Sequence, residues 1–317
     1  RMKYTEALER FGSDKPDTRF GMEITDLTDV VKDCGFGVFT SAIANGGTVR
    51  CITAKNGAST FTRKEIDKLT EYVKGIGVKG LAYIRWVEDA PNCSFGKFLG
   101  EGELDKILAA AGAEKGDVVF IIADKKNTAL TSLGALRLKC ARQLNIIPEG
   151  KFNFLWITEF PFFEWNEETQ HWDAMHHPFT MPMDECLQYL DTAPEKVFAK
   201  AYDLVLNGTE LSSGSIRITD YELQQKMFES LGLTDEEIEA KFGFLVEAYK
   251  YGAAPHGGMG IGLDRLAMIM CGADSLRDVT AFPKVQNASE LMSNCPAAVD
   301  KDSLDILGIE VTKSEDE

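Results

Sequence analysis

The stretch Gly257-Gly258-Met259-Gly260-Ile261-Gly262-Leu263-Asp264-Arg265 constrains this chain more than any other. Small residues at alternate positions of a strand leave one face bare, so a flat ligand can lie directly on the backbone. Apolar residues then run from Leu266 to Cys271 and predict a helix over 262–271. That helix opens with its positive end toward the ligand and carries Arg265 one turn in, where a guanidinium can grip phosphate. The same residues also allow a plain reading: a glycine-rich strand packed on a neighbour, with Arg265 in a structural ion pair. Two other phosphate loops are excluded. Gly258, Gly260 and Gly262 alternate and do not form the G-x-G-x-x-G turn of a dinucleotide fold, and no Walker A string occurs.

Turn signals divide the chain into residues 1–23, 24–131 and 132–317. The first stretch carries Arg10-Phe11-Gly12-Ser13-Asp14-Lys15-Pro16-Asp17, which reads as a loop after a short helix because Pro16 forces Lys15 toward extended geometry. In the second, Thr62 and Glu65 form a helix-start signature, with Ile66, Leu69 and Val73 following at helical spacing. Strands are expected at 81–84 and 118–122 and a helix at 104–111, a compact α/β module. It holds no histidine, paired carboxylates or glycine-rich phosphate loop, so it reads as a binding or spacer module. In the third, helices are expected at 127–144, 194–206, 221–231 and 235–251. Strands are expected at 154–157 and 259–261, and an antiparallel pair within 210–218. Elements in blocks without β-α alternation indicate an α+β class with an antiparallel sheet.

Composition excludes several functions. The chain has 34 Lys+Arg against 50 Asp+Glu, a net charge of −16, which argues against broad non-specific grip on phosphate backbones. The longest purely apolar runs are far short of the roughly 20 residues of a bilayer span. Seven scattered cysteines without a C-x-x-C pair fit reduced thiols in a cytoplasmic protein. The acidic residues 300–317 read as a solvated end.

Chemistry-bearing side chains concentrate in the third stretch. Asp203 and Glu210, seven apart, are expected late in a helix and at the start of the next strand; two converging carboxylates suit Mg²⁺ with nucleotide phosphates. Arg217, in Gly214-Ser215-Ile216-Arg217-Ile218, offers a fork for bidentate capture of a small carboxylate, and an ion pair inside the sheet is the equal alternative. His176 and His177 share a loop with Pro178 and Phe179; lacking zinc-type spacing, a substrate-contacting histidine is preferred to a metal ligand. No nucleophile elbow or His-paired cysteine motif is present. The expected chemistry is positioning of a carboxylate beside ATP.

Together these segments resemble the bacterial-type aspartate–tRNA ligases, which are class II aminoacyl-tRNA synthetases. The resemblance rests on Arg10 to Asp17, on Ala174-Met175-His176-His177-Pro178-Phe179-Thr180, on Gly214 to Ile218 and on Gly258 to Arg265, which looks like the third signature motif. Asp278-Val279-Thr280-Ala281-Phe282-Pro283-Lys284 is similar to the stretch beyond that motif. It implies an α+β fold in which an antiparallel catalytic sheet carries an inserted small α/β domain at 24–131. Such an insertion is found in bacterial enzymes of the family and in the B subunit of tRNA-dependent amidotransferases. It implies activation of L-aspartate with ATP and transfer of aspartyl to the 3′ end of tRNA for Asp, with Asn tRNA as an open extension. By the same likeness Arg217 and His176 would bind aspartate, Glu210, Gly262, Leu263, Asp264 and Arg265 would bind ATP, and Asp203 with Glu210 would hold Mg²⁺. A homodimer is the family expectation.

The resemblance also implies omissions. The chain begins well inside the catalytic domain of the family, so an anticodon-binding barrel and the first two signature motifs are expected to lie outside it. An arginine of the second motif grips the α-phosphate, and removing such a charge costs several kcal/mol of barrier. An isolated chain of this extent is therefore expected to activate aspartate negligibly. A binding module without catalysis is the competing reading.

Overall fold

The computed structural model describes residues 1–87 and 89–312. It contains two compact units, Arg1–Ile261 and Gly262–Glu317.

The first unit opens with strand β1 (Met2–Lys3) and helix α1 (Tyr4–Phe11). From Thr25 to Asp124 the chain builds a five-stranded sheet and its cover: β2 (Thr25–Asp26), α2 (Thr28–Val31), α3 (Gly37–Ala44), β3 (Thr48–Ala54), α4 (Arg63–Lys74), β4 (Ala82–Arg85), β5 (Asn92–Cys93), α5 (Glu103–Ala110) and β6 (Val118–Asp124). The strand order is β2-β3-β6-β4-β5, antiparallel throughout. β6 explains why its sequence is apolar without alternation. Val118, Phe120 and Ile122 enter one core with Ile66, Leu69 and Val73 of α4, whereas Val119 and Ile121 enter another with Val31, Phe39 and Ile107. Both faces of the strand are covered, so both faces are hydrophobic. Thr62 starts α4 as expected, accepting a hydrogen bond from the Glu65 N–H.

The long helix α6 (Lys126–Gln143) then packs on β3, β6 and α1. Beyond it come β7 (Phe154–Pro161), the hairpin β8 (Phe163–Asn166) and β9 (His171–Ala174), then β10 (Phe198–Leu206), β11 (Thr209–Ile216), α7 (Tyr221–Ser230), α8 (Asp235–Lys250) and β12 (Gly257–Ile261). The second sheet has the order β1-β7-β10-β11-β12; β1 runs parallel to β7, and the other pairs are antiparallel. The fold is α+β.

Two elements depart from expectation: residues 210–218 hold the single strand β11, paired with β10 and β12, and not an antiparallel pair of their own, and the second departure is larger. Residues 194–206 are not a helix: Pro194–Lys196 makes a single 3₁₀ turn, and Phe198–Leu206 is strand β10. Ala199, Ala201, Asp203 and Val205 are buried, whereas Phe198, Lys200, Tyr202 and Leu204 are only half-buried, a period of two. The hairpin into β11 turns on Asn207 and Gly208, with φ of 52° and 83°. Asn-Gly accepts two positive φ values in a two-residue loop, and that pair was the overlooked signal.

In the second unit, α9 (Leu263–Cys271) ends at Gly272 with φ 63°, and α10 (Lys301–Leu307) follows. None of its described residues is fully buried. Residues 313–317 of the acidic tail lie outside the described residues. No helix among the described residues is long and apolar enough to cross a membrane, and all seven cysteines are free thiols.

Candidate active site

Asp203 stands on a central strand, where its Cα partners are Ile157 on β7 and Ser213 on β11. Ser213 faces Gly260 on β12 in turn, so an acid, a hydroxyl and a glycine lie in one row across three strands. The Asp203 side chain is 5% exposed, and its Oδ1 has no hydrogen-bond partner. Burial pushes its pKa above the usual carboxylate value, the Ser213 hydroxyl opposes that shift, and the Glu210 charge adds to it. A buried acceptor left without a donor, beside a second carboxylate, is the electrostatic setting that a cation relieves.

Glu210 is half-buried on β11 opposite Val205, just past the hairpin turn. A register shift between Leu204 and Val205 separates this pair from the Asp203–Ser213 pair. Asp14, from the loop after α1, adds a further negative charge toward Asp203, and His176 opposes it. Among the described residues, no three His, Cys, Asp or Glu side chains converge as a self-sufficient metal cage.

Arg217 follows β11 directly. The segment 179–181 runs antiparallel beside it: the Ile218 N–H donates to the Phe179 carbonyl at 2.9 Å, and the Met181 N–H to the Ile216 carbonyl at 2.8 Å. This pairing brings the histidine loop onto the arginine. Arg217 Nη1 lies 3.1 Å from His177 Nδ1, which also receives the Phe179 N–H at 3.3 Å. Guanidinium and amide groups only donate, so Nδ1 is an acceptor and the neutral ring carries its proton on Nε2. Burial, then the Arg217 charge, hold the His177 pKa below its ordinary value, in keeping with that neutral state. Thr180 Oγ1 lies 3.3 Å from the same nitrogen and donates to Ser215 Oγ at 3.4 Å, which ties the loop to β11.

His176, the residue singled out from sequence, is exposed and sets its ring edge-on to Phe160 at 4.9 Å. Its neighbour, not His176, makes the contact to Arg217. The doublet His176-His177 was visible in the sequence; which ring meets the arginine depends on the 179–181 pairing. Asp203 and Glu210 thus share the β10–β11 hairpin of the first unit, and Arg217, with the histidine loop beside it, follows the same strand β11. Gly262, Leu263, Asp264 and Arg265 belong to the second unit, where Gly262 caps α9 and Arg265 is its third residue.

The glycine pattern has a measurable consequence at Gly214. A Cβ there would stand 2.1 Å from the Gly258 carbonyl oxygen and 2.8 Å from Tyr202 Cε2. Gly214→Ala is therefore expected to force β11 and β12 apart and to lower stability by about 1–3 kcal/mol. An unchanged denaturation midpoint in urea would refute this close approach.

The family model described as class II tRNA synthetases (D, K and N) matches residues 1–286. An aspartate–tRNA ligase of Ruminiclostridium cellulolyticum is 57% identical over 314 residues, 99% of this chain and 53% of that protein. An aspartate–tRNA(Asp/Asn) ligase of Lachnoclostridium phytofermentans is 54% identical, covering 99% of this chain and 52% of that protein. The chain thus spans about half the length of these relatives. Among solved structures, an aspartyl-tRNA synthetase from Entamoeba histolytica is 25% identical with a TM-score of 0.34, covering 48% of this chain and 26% of that one.

Proposed function

Because this chain belongs to the class II tRNA synthetases (D, K and N), we propose that it is the aspartate-activating part of an aspartate–tRNA ligase. The observation that carries the reading is Arg217, held by a neutral histidine at 3.1 Å just past strand β11, whose hairpin with β10 carries the two carboxylates. A fixed guanidinium fork suits a carboxylate side chain and disfavours an amide or ammonium in its place. Arg217 would bind the side-chain carboxylate of aspartate, with His176 facing the amino acid from its loop. Asp203 and Glu210 would hold Mg²⁺ together with ATP phosphates, since Mg²⁺ is commonly bound by one or two carboxylates plus substrate oxygens. The unpartnered Oδ1 of Asp203 fits that role. When bound, the metal would neutralise charge on the phosphates. Gly262, Leu263, Asp264 and Arg265 would contribute to ATP binding.

The reaction would need little covalent work from the protein. The α-carboxylate of aspartate would attack the α-phosphate of ATP with loss of pyrophosphate, and a hydroxyl at the 3′ end of tRNA would then attack the aspartyl carbonyl of the adenylate, with AMP as the leaving group. Residues of this chain would fix the nucleophile and hold its side chain away from the reacting centre. We assign residues 24–131 to an inserted domain between segments 1–23 and 132–317 of the catalytic fold. The full protein would act in the cytoplasm, with tRNA as partner and a second copy of itself as dimer mate. Calorimetry with a non-hydrolysable aspartyl-adenylate analogue tests the reading. Binding is expected, with the asparaginyl analogue at least about 100-fold weaker, because the unmatched Arg217 loses its charge partner. Arg217→Leu should abolish this preference. Equal affinity for the two analogues would sink the proposal.

A further inference from the structure

A second candidate site lies far along the chain from these residues, between the start of α4 and the β4–β5 edge of the first-built sheet. A cavity of about 580 Å³ is lined there by Arg63, Tyr83, Arg85, Val87, Pro91 and Asn92, among others. Tyr83 and Arg85 are two apart on β4, so they project from one face, opposite the buried Ile84. Arg63 is the first residue of the twelve-residue α4.

Three features point to an anion. Arg85 uses Nε to donate to the Ala58 carbonyl at 2.8 Å, and its Nη groups make no further contact among the described residues. Arg63 has no carboxylate partner there either, in a chain with 50 acidic and 34 basic side chains. Asp89, on the adjoining loop, pairs instead with Lys115 at 2.9 Å. Arg63 and Lys64 also sit at the positive end of a helix, where basic side chains are disfavoured and a bound anion removes the conflict. The volume is of the size that holds a small ligand.

We propose that this cavity takes a phosphate group, from a free nucleotide or an RNA strand, between the Arg63 and Arg85 guanidinium groups, with the attached base against Tyr83. Guanidinium forks match phosphate oxygens bidentately, and a tyrosine ring gives a base a stacking face. The inference stands apart from the ligase reading. Calorimetry of the whole chain in an Arg265→Gln background tests it, so that binding at the glycine-rich segment is not counted. The probes are adenosine 5′-monophosphate and a short single-stranded oligoribonucleotide. Expected is binding of one or both, weakened at least tenfold by Arg63→Gln and by Arg85→Gln with unchanged circular dichroism, and slowed amide exchange at residues 63–65. Binding of the mononucleotide identifies a free nucleotide as sufficient; binding of the oligomer alone identifies a strand. No binding at millimolar probe, or binding insensitive to both substitutions, overturns the proposal.

Discussion

Replacing Arg137 by leucine is expected to cost the fold about 3–5 kcal/mol, because several buried carbonyls lose their donor at about 1–3 kcal/mol each, partly offset by relaxation. Arg137 is 1% exposed and lies within α6. Its Nη2 donates to the carbonyls of Asp17, Phe20 and Gly21 at 2.9, 3.0 and 3.0 Å, and its Nε to that of Met22 at 3.1 Å. Its Cζ lies 4.0 Å from the Phe20 ring centroid and 4.9 Å from that of Phe11. Burial pushes its pKa down to about 10, so it remains charged at neutral pH, supported by the charges of Asp17 and Glu23. The four carbonyls belong to the crossing from α1 to β2, and α6 is the return crossing from β6. One side chain therefore ties both passages between the two sheets. Leucine fills part of the volume but leaves the carbonyls without their donor. Lysine keeps the charge but has three donors on a point-like head, so Arg137→Lys should recover only part of the loss. Urea midpoints and proteolysis at residues 17–23 report the effect. A loss below about 1 kcal/mol for leucine would show that the clasp adds little to stability.

The clasp also marks where sequence reading stops. The buried residues of α6, among them Leu130, Leu133, Leu136 and Cys140, share one side of the helix with Arg137 in their midst, whereas Asn127, Thr131 and Arg142 on the other side are exposed; the charge alone does not tell which side an arginine takes. An arginine in such a helix reads as solvated, as Arg142 in the same helix is. Only the packing of α1, through Gly12 against the α6 backbone, brings the carbonyls of residues 17–22 over it: a Cβ on Gly12 would stand 2.0 Å from the Leu130 carbonyl oxygen. By contrast, the strand at 257–261 and the helix after it were legible because glycine spacing and helical period are local properties. The β10 error arose where Ala and Lys favour a helix locally and pairing with β7 and β11 overrides them. Arg217 was legible as a candidate, but its partner was not, since His177 lies 40 residues away in sequence.

Asp203→Asn is expected to make the metal-free protein more stable while removing its response to magnesium and ATP. Asp203 is buried with one oxygen unpartnered, and its pKa is raised first by burial and further by Glu210. The sign follows from linkage: the folded state holds this proton more tightly than the unfolded chain. The group's contribution to stability is therefore greatest in acid and falls as pH rises from the ordinary carboxylate value through the raised native one. Above that window the full cost of a buried, ionised carboxylate remains. Asparagine keeps the shape, removes the charge, and offers an amide donor toward Glu210 where a carboxylate was repelled. Relief of about 1 kcal/mol corresponds to a rise of about 2–4 °C in Tm at pH 7.5 without magnesium. At pH 4 the two proteins should melt much closer together. With magnesium and ATP the order should reverse, because ligand stabilisation follows affinity for the native state and only the wild-type pair Asp203 and Glu210 would hold the metal. An asparagine variant that melts lower than wild type in metal-free buffer at pH 7.5 would show that Asp203 is compensated within the fold and is not reserved for a cation.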